Sequence, residues 1–166
     1  MVNMARLHMK FKREAFDPRM LELTERFFDA RLMRNRKAEY RGQLFDTWLH
    51  GACIVYELPF PNLSMDPKAP TPHGFMTNVG YYKPEGVGTI VLRKWSAISL
   101  FHQFRHHMQR FTDEMKDQQW DHDVHGQDAQ EWACSLFYQT DKSLFRKWVR
   151  RGRVAGVKPE DLLKRR

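Results

Sequence analysis

Hydrophobic positions change period several times along the chain, and each change marks an element. Leu7, Met9 and Phe11 alternate with His8, Lys10 and Lys12, a period of two that predicts a short edge strand. Asp17-Pro18 then offers an N-cap with proline at the first helical position. Behind it Met20, Leu23, Phe27 and Ala30 recur at helical spacing, widened by Leu21 and Phe28, and predict an amphipathic helix to about Lys37. Leu44, Phe45, Trp48 and Leu49 predict a second helical piece that ends near Gly51, and Cys53 to Leu58 reads as a strand. Pro59 to His73 holds five of the eight prolines and reads as an extended surface loop.

Phe75 to Tyr82 and Thr89 to Leu92 are strand-like runs joined by Lys83 to Gly88, the pattern of a hairpin. From Ser96 to Phe111 the period is helical again: Ala97, Phe101, Phe104, Met108 and Phe111 form one stripe, with His102 and His106 nearly opposite. Thr112 to Gly126 is polar and reads as a loop. A helix is predicted from Asp128 to about Gln139, on the stripe Ala129, Trp132, Ala133, Leu136 and Phe137. Asp141 caps a last helix, Lys142 to about Arg151, with an apolar face of Leu144, Phe145, Trp148 and Val149. Its other face carries Arg146, Lys147, Arg150, Arg151 and Arg153, and Pro159 opens a short helical turn.

These elements predict an α+β fold in a single domain of 166 residues. A small, mainly antiparallel sheet from the Leu7, Cys53, Phe75 and Thr89 segments packs on the Asp17, Ser96 and Asp128 helices. The Ser96 helix is nearly central, and residues 141–166 form a basic helical C-terminal extension.

Composition adjusts this picture little. Hydrophobic residues make up 42% of the chain, enough for a core and against disorder. The formal charge is +8, which permits an acidic partner such as nucleic acid. Cys53 and Cys134 lack CxxC partners and read as free thiols in a reducing compartment. No run is long enough to span a membrane, and no apolar leader follows Met1. The expectation is a cytoplasmic protein with no membrane partner.

The candidate chemistry lies in Phe101-His102-Gln103-Phe104-Arg105-His106. Histidines four apart on a helix stand one turn apart on one face, from where two imidazoles can share a Zn²⁺. A zinc site needs more than two protein ligands. The next helix offers Asp128 and Glu131, and His125 precedes it; Asp128 near the helix start also reads as a plain cap.

A strand followed by a helix with His102-Gln103-x-x-His106 resembles the zincin metallopeptidase motif His-Glu-x-x-His, with Gln103 in the glutamate's place. Asp128-Ala129-Gln130-Glu131-Trp132-Ala133 resembles the Glu-Ala-x-x-Phe-Ala pattern of ImmA/IrrE-type gluzincins. His125-Gly126 is similar to the His-Gly segment of SprT-like proteases, in which the third ligand is histidine. The resemblance implies Zn²⁺ on His102 and His106 with Asp128, then Glu131, then His125 as the third ligand, a peptide or protein substrate, and a peptide-pairing strand that is either Phe75 to Tyr82 or Thr89 to Leu92. It also puts Gln103 at the position of the general base. A carboxamide cannot take the proton that a carboxylate takes, so the peptidase is expected to be silent. Gln103 is either native to a silent relative or a replacement that stops turnover. The alternatives are a non-catalytic binding module that keeps the peptidase fold, and a basic protein that grips nucleic acid through its C-terminal helix.

Overall fold

The computed structural model describes residues 15–29, 37–69, 80–112 and 115–162. The fold is α+β, with a three-stranded sheet and five α-helices among these residues. The predicted Leu7 strand lies outside the described residues.

Helix α1 (Pro18–Phe27) starts as the sequence predicts. The Asp17 carboxylate accepts from the Arg19 N–H, and Pro18 occupies the first turn. It ends at Phe27, with Phe28 as C-cap, and residues 30–36 lie outside the description. Met20, Thr24 and Phe27 are its buried face. The buried Thr24 hydroxyl donates to Met20 O (2.8 Å) and accepts from Trp48 Nε1–H (3.0 Å), so neither polar group is left unpaired.

Helix α2 (Ala38–Tyr56) corrects the reading of Cys53 to Leu58 as a strand. The helix passes through Gly51, because Phe45, Trp48, Leu49, Ala52 and Cys53 form one unbroken buried stripe. A Cβ at Gly51 would lie 2.8 Å from Leu23 Cδ1, so this glycine lets α1 approach closely. Glu57, in the left-handed conformation at φ 54°, ends the helix.

The sheet is mixed, where mainly antiparallel pairing was expected. Strand β3 (Thr89–Leu92) is central, antiparallel to β2 (Gly80–Lys83) and parallel to β1 (Asn62–Met65). β1 lies inside the proline-rich stretch that reads as a loop; its half-buried Leu63 and Met65 alternate with exposed Asn62 and Ser64. β2 and β3 form the predicted hairpin, while residues 75–79 are outside the description. Ile90, Val91 and Leu92 are buried, as a central strand covered on both faces requires.

Helix α3 (Ala97–Phe111) follows β3 directly, with Ser96 as its N-cap. It packs on α4, β2 and β3 and is buried nearly all round, including Gln103, Arg105, His106, His107 and Gln109. The expected amphipathic helix is thus a central one with polar groups inside. Helix α4 (His122–Thr140) begins earlier than predicted, because Asp121 caps it by accepting from the Asp123 and Val124 N–H groups. The last part of the predicted 112–126 loop is therefore helical, and Asp128 is not the cap. Helix α5 (Lys142–Arg150) is capped by Asp141, as predicted, and buries Phe145 and Val149 in the same core. A 3₁₀ turn, Pro159–Leu162, follows. Among the described residues, no helix is long and apolar enough to cross a membrane.

Candidate metal centre

One turn of α3 brings His102 and His106 together, with their Nε2 atoms 3.1 Å apart. Each ring is fixed from behind by a glutamine. His102 Nδ1 is 2.8 Å from Gln130 Oε1 on α4, and His106 Nδ1 is 2.8 Å from Gln109 Oε1 on α3. The orientation of both amides is set by their other ends. Gln130 Nε2 donates to Ala155 O (2.8 Å), and Gln109 Nε2 donates to His125 O (2.9 Å) and Asp128 Oδ2 (2.8 Å). Their oxygens therefore face the imidazoles and can only accept, so each histidine carries its proton on Nδ1.

That leaves the Nε2 atoms. Burial, then the charge of His102, pushes His106 down to about 3. Burial also holds His102 below the usual histidine range, against the Gln130 hydrogen bond. Both rings are then neutral at pH 7, with their Nε2 lone pairs directed into one space. Two lone pairs facing each other repel, and a cation between them removes the conflict. Two nitrogens on one tetrahedral Zn²⁺, at about 2.0–2.1 Å each, lie about 3.3 Å apart. The observed spacing needs only a small adjustment to fit.

The candidate third ligands lie elsewhere. Asp128 sits behind His106, on the Nδ1 side: Arg105 Nε reaches its Oδ2 at 2.8 Å and Arg105 Nη2 its Oδ1 at 3.4 Å. Burial works to raise the Asp128 carboxyl, but Arg105 and the Gln109 amide hold it below the usual carboxylate range. Buried Glu131 accepts from Gln127 Nε2 (3.0 Å). His125 turns its Nδ1 to Asp121 O (2.9 Å) and stacks on Trp120, ring centroids 4.6 Å apart. Among the described residues, no group of three or more His, Cys, Asp or Glu side chains is placed to hold a metal ion. Among the described residues the candidate donor set is a histidine pair, which leaves further positions on an ion open.

Gln103 is 4% exposed, and its Oε1 has no hydrogen-bond partner. Beside it on α3, His107 donates Nε2–H to Pro59 O (2.7 Å) and accepts from the Tyr82 hydroxyl at Nδ1 (2.7 Å), while Arg110 Nη1 donates to that same oxygen (3.0 Å). This second network ties α3 to β2 and to the segment leading into β1.

No family model matches the chain, and neither a curated protein nor a solved structure matches it.

Sequence reasoning missed Gln109, Gln130, Arg105 and Trp120. Gln109 carries a local signal, three residues beyond His106 on the same helical face. Gln130 carries none, because its role depends on how α4 docks on α3. Trp120 is 54% exposed, yet its ring lies 5.1 Å from that of His106 and flanks the site.

Proposed function

We propose that the chain is a zincin-like metal-binding protein that is silent as a peptidase. The carrying observation is the convergence of the His102 and His106 Nε2 atoms at 3.1 Å, with both tautomers set by glutamines. His102 and His106 would supply two ligands to Zn²⁺, and the third that a zinc site needs would come from outside the described residues, a donor group of a peptide or protein partner included. Bound zinc would polarise a carbonyl or acidify a water. Neither Gln103 nor Asp128 would serve as the general base: Gln103 cannot accept the proton, and Asp128 is committed to Arg105 and Gln109. Of the two runs that could pair with a peptide strand, β3 is the central strand of the sheet, whereas β2 lies at an edge among the described residues. Two free, buried cysteines support a reducing, cytoplasmic setting.

The test is zinc content after dialysis against a zinc buffer. One equivalent in the native chain, lost in His102→Ala/His106→Ala with the fold retained, supports the reading. No zinc in the native chain, or equal zinc in both, sinks it.

A further inference from the structure

The seventeen residues from Lys142 to Lys158 contain seven basic side chains and no acid. The other 149 residues carry 21 basic against 20 acidic ones, so nearly the whole net charge of +8 is in this segment. All seven, Lys142, Arg146, Lys147, Arg150, Arg151, Arg153 and Lys158, are exposed. Lys142 Nζ lies over the Tyr138 ring, 5.2 Å from its centroid. Among the described residues, the side chains of Arg146, Lys147, Arg150, Arg151 and Arg153 make no ion pair, hydrogen bond or ring contact.

Helix electrostatics account for only part of this arrangement: Lys147 and Arg150 lie in the last turn of α5, where cations suit the helix dipole, but Lys142 lies in its first turn. Lys142, Arg146 and Arg150 follow one another at i, i+4 along α5, and Lys147 and Arg151 form a second such row. Like charges at this spacing destabilise a helix. Surfaces that only need solubility intersperse both signs. Here five cations stand together, none in an ion pair with a carboxylate among the described residues.

The chemistry of the face selects among polyanions. Four of the seven are arginines, whose planar forks bind phosphate oxygens bidentately. From Lys142 to Arg150 the helix rises about 12 Å, enough to follow a few successive phosphates. A bilayer surface fits less well, because an interfacial helix must offer an apolar face to the lipid. The apolar face of α5 is already in the core through Phe145 and Val149, and the exposed large hydrophobic residues, such as Ile54, Phe60 and Trp120, lie elsewhere in the chain.

We propose that α5 and the turn after it form a docking face for the sugar-phosphate backbone of nucleic acid, independent of base sequence and separate from the histidine pair. Affinity of such a face arises chiefly from counterion release, whatever the base sequence. The test is fluorescence anisotropy with a labelled random-sequence DNA duplex between about 50 and 200 mM salt. A face that engages about four phosphates gives a log–log salt slope near −3.6. Arg146→Glu with Arg150→Glu, both on the surface and with folding checked by circular dichroism, should lower affinity more than about tenfold and flatten the slope by roughly two. His102→Ala/His106→Ala should bind the duplex as the native chain does, which separates this face from the metal reading. The proposal is overturned by absence of duplex binding, by an unchanged slope in the charge-reversed variant, or by tighter binding to phosphatidylserine vesicles or polyglutamate than to the duplex.

Discussion

His102 and His106 face each other through Nε2 atoms 3.1 Å apart while each gives its Nδ1–H to a different glutamine. Carboxamides carry no charge, so they draw a second proton onto the imidazoles less than carboxylates would, and burial outweighs their pull. They orient the rings and leave them neutral, the protonation state that metal ligation requires.

Removing one of these amides should therefore weaken metal binding more than folding. Gln130→Ala frees the His102 ring to rotate and to change tautomer. Zinc affinity, measured by competition with a chromogenic chelator, should fall roughly 10–100-fold. An unchanged affinity would show that Gln130 does not set the site.

Asp128 should act in stability rather than in ligation. Its folded pKa is depressed, chiefly by Arg105, so its contribution is present above the unfolded value of about 3.9 and is lost as pH falls through the folded value. Asp128→Asn should cost about 1.5–3 kcal/mol at pH 7 and make the loss of stability below about pH 4 shallower, as read by urea unfolding at a series of pH values. Bound zinc should stay near one equivalent. Its disappearance from a folded Asp128→Asn chain would return Asp128 to the ligand set.

Gln103→Glu tests the silent-peptidase reading. If position 103 is that of the base, the variant should gain about 10²–10⁴-fold in cleavage of a peptide library with its zinc content unchanged, and adding His102→Ala should remove the gain. The carboxylate would replace a buried oxygen that has no partner, so its folded pKa should be raised by burial. Stability should then be full below the unfolded value of about 4.3 and decline as pH rises through the folded one. A zinc-loaded variant that cleaves nothing leaves the binding module as the better account.

Gly88 carries both backbone and packing constraints. Its φ is 88°, and a Cβ there would collide with the Tyr82 hydroxyl and lie 3.1 Å from His107 Nδ1. Gly88→Ala should destabilise the protein by about 1–3 kcal/mol in thermal or urea unfolding and perturb the His107 ring resonances. A neutral substitution would contradict the geometry.

What the sequence revealed was local. Asp17-Pro18 and Asp141 announced two helix starts, because a cap acts within one turn. The histidine pair was legible for the same reason: i, i+4 on a helix fixes its own geometry. Ile54 and Val55 misled because β-branched residues suggest a strand, yet they occupy the last turn of α2, with Ile54 65% exposed. β1 escaped because four residues among prolines say little until Thr89–Leu92 lies beside them in parallel. The Arg105–Asp128 pair and the Gln130 clamp were out of reach because docking of α3 on α4 creates them.

The Ala155 carbonyl extends that dependence to the far side of α5. It accepts from Gln130, 25 residues earlier, whose oxygen orients His102. Two hydrogen bonds in series thus make a surface turn part of the environment of an imidazole it never touches. A backbone cut between Gly152 and Ala155 would release the Gln130 amide to invert, presenting its nitrogen to His102 and inviting the ring proton to move from Nδ1 to Nε2. The lone pair would then leave the shared space. Whether His102 is a donor or an acceptor toward His106 is therefore decided partly outside α3 and α4, by a stretch that a sequence motif does not include.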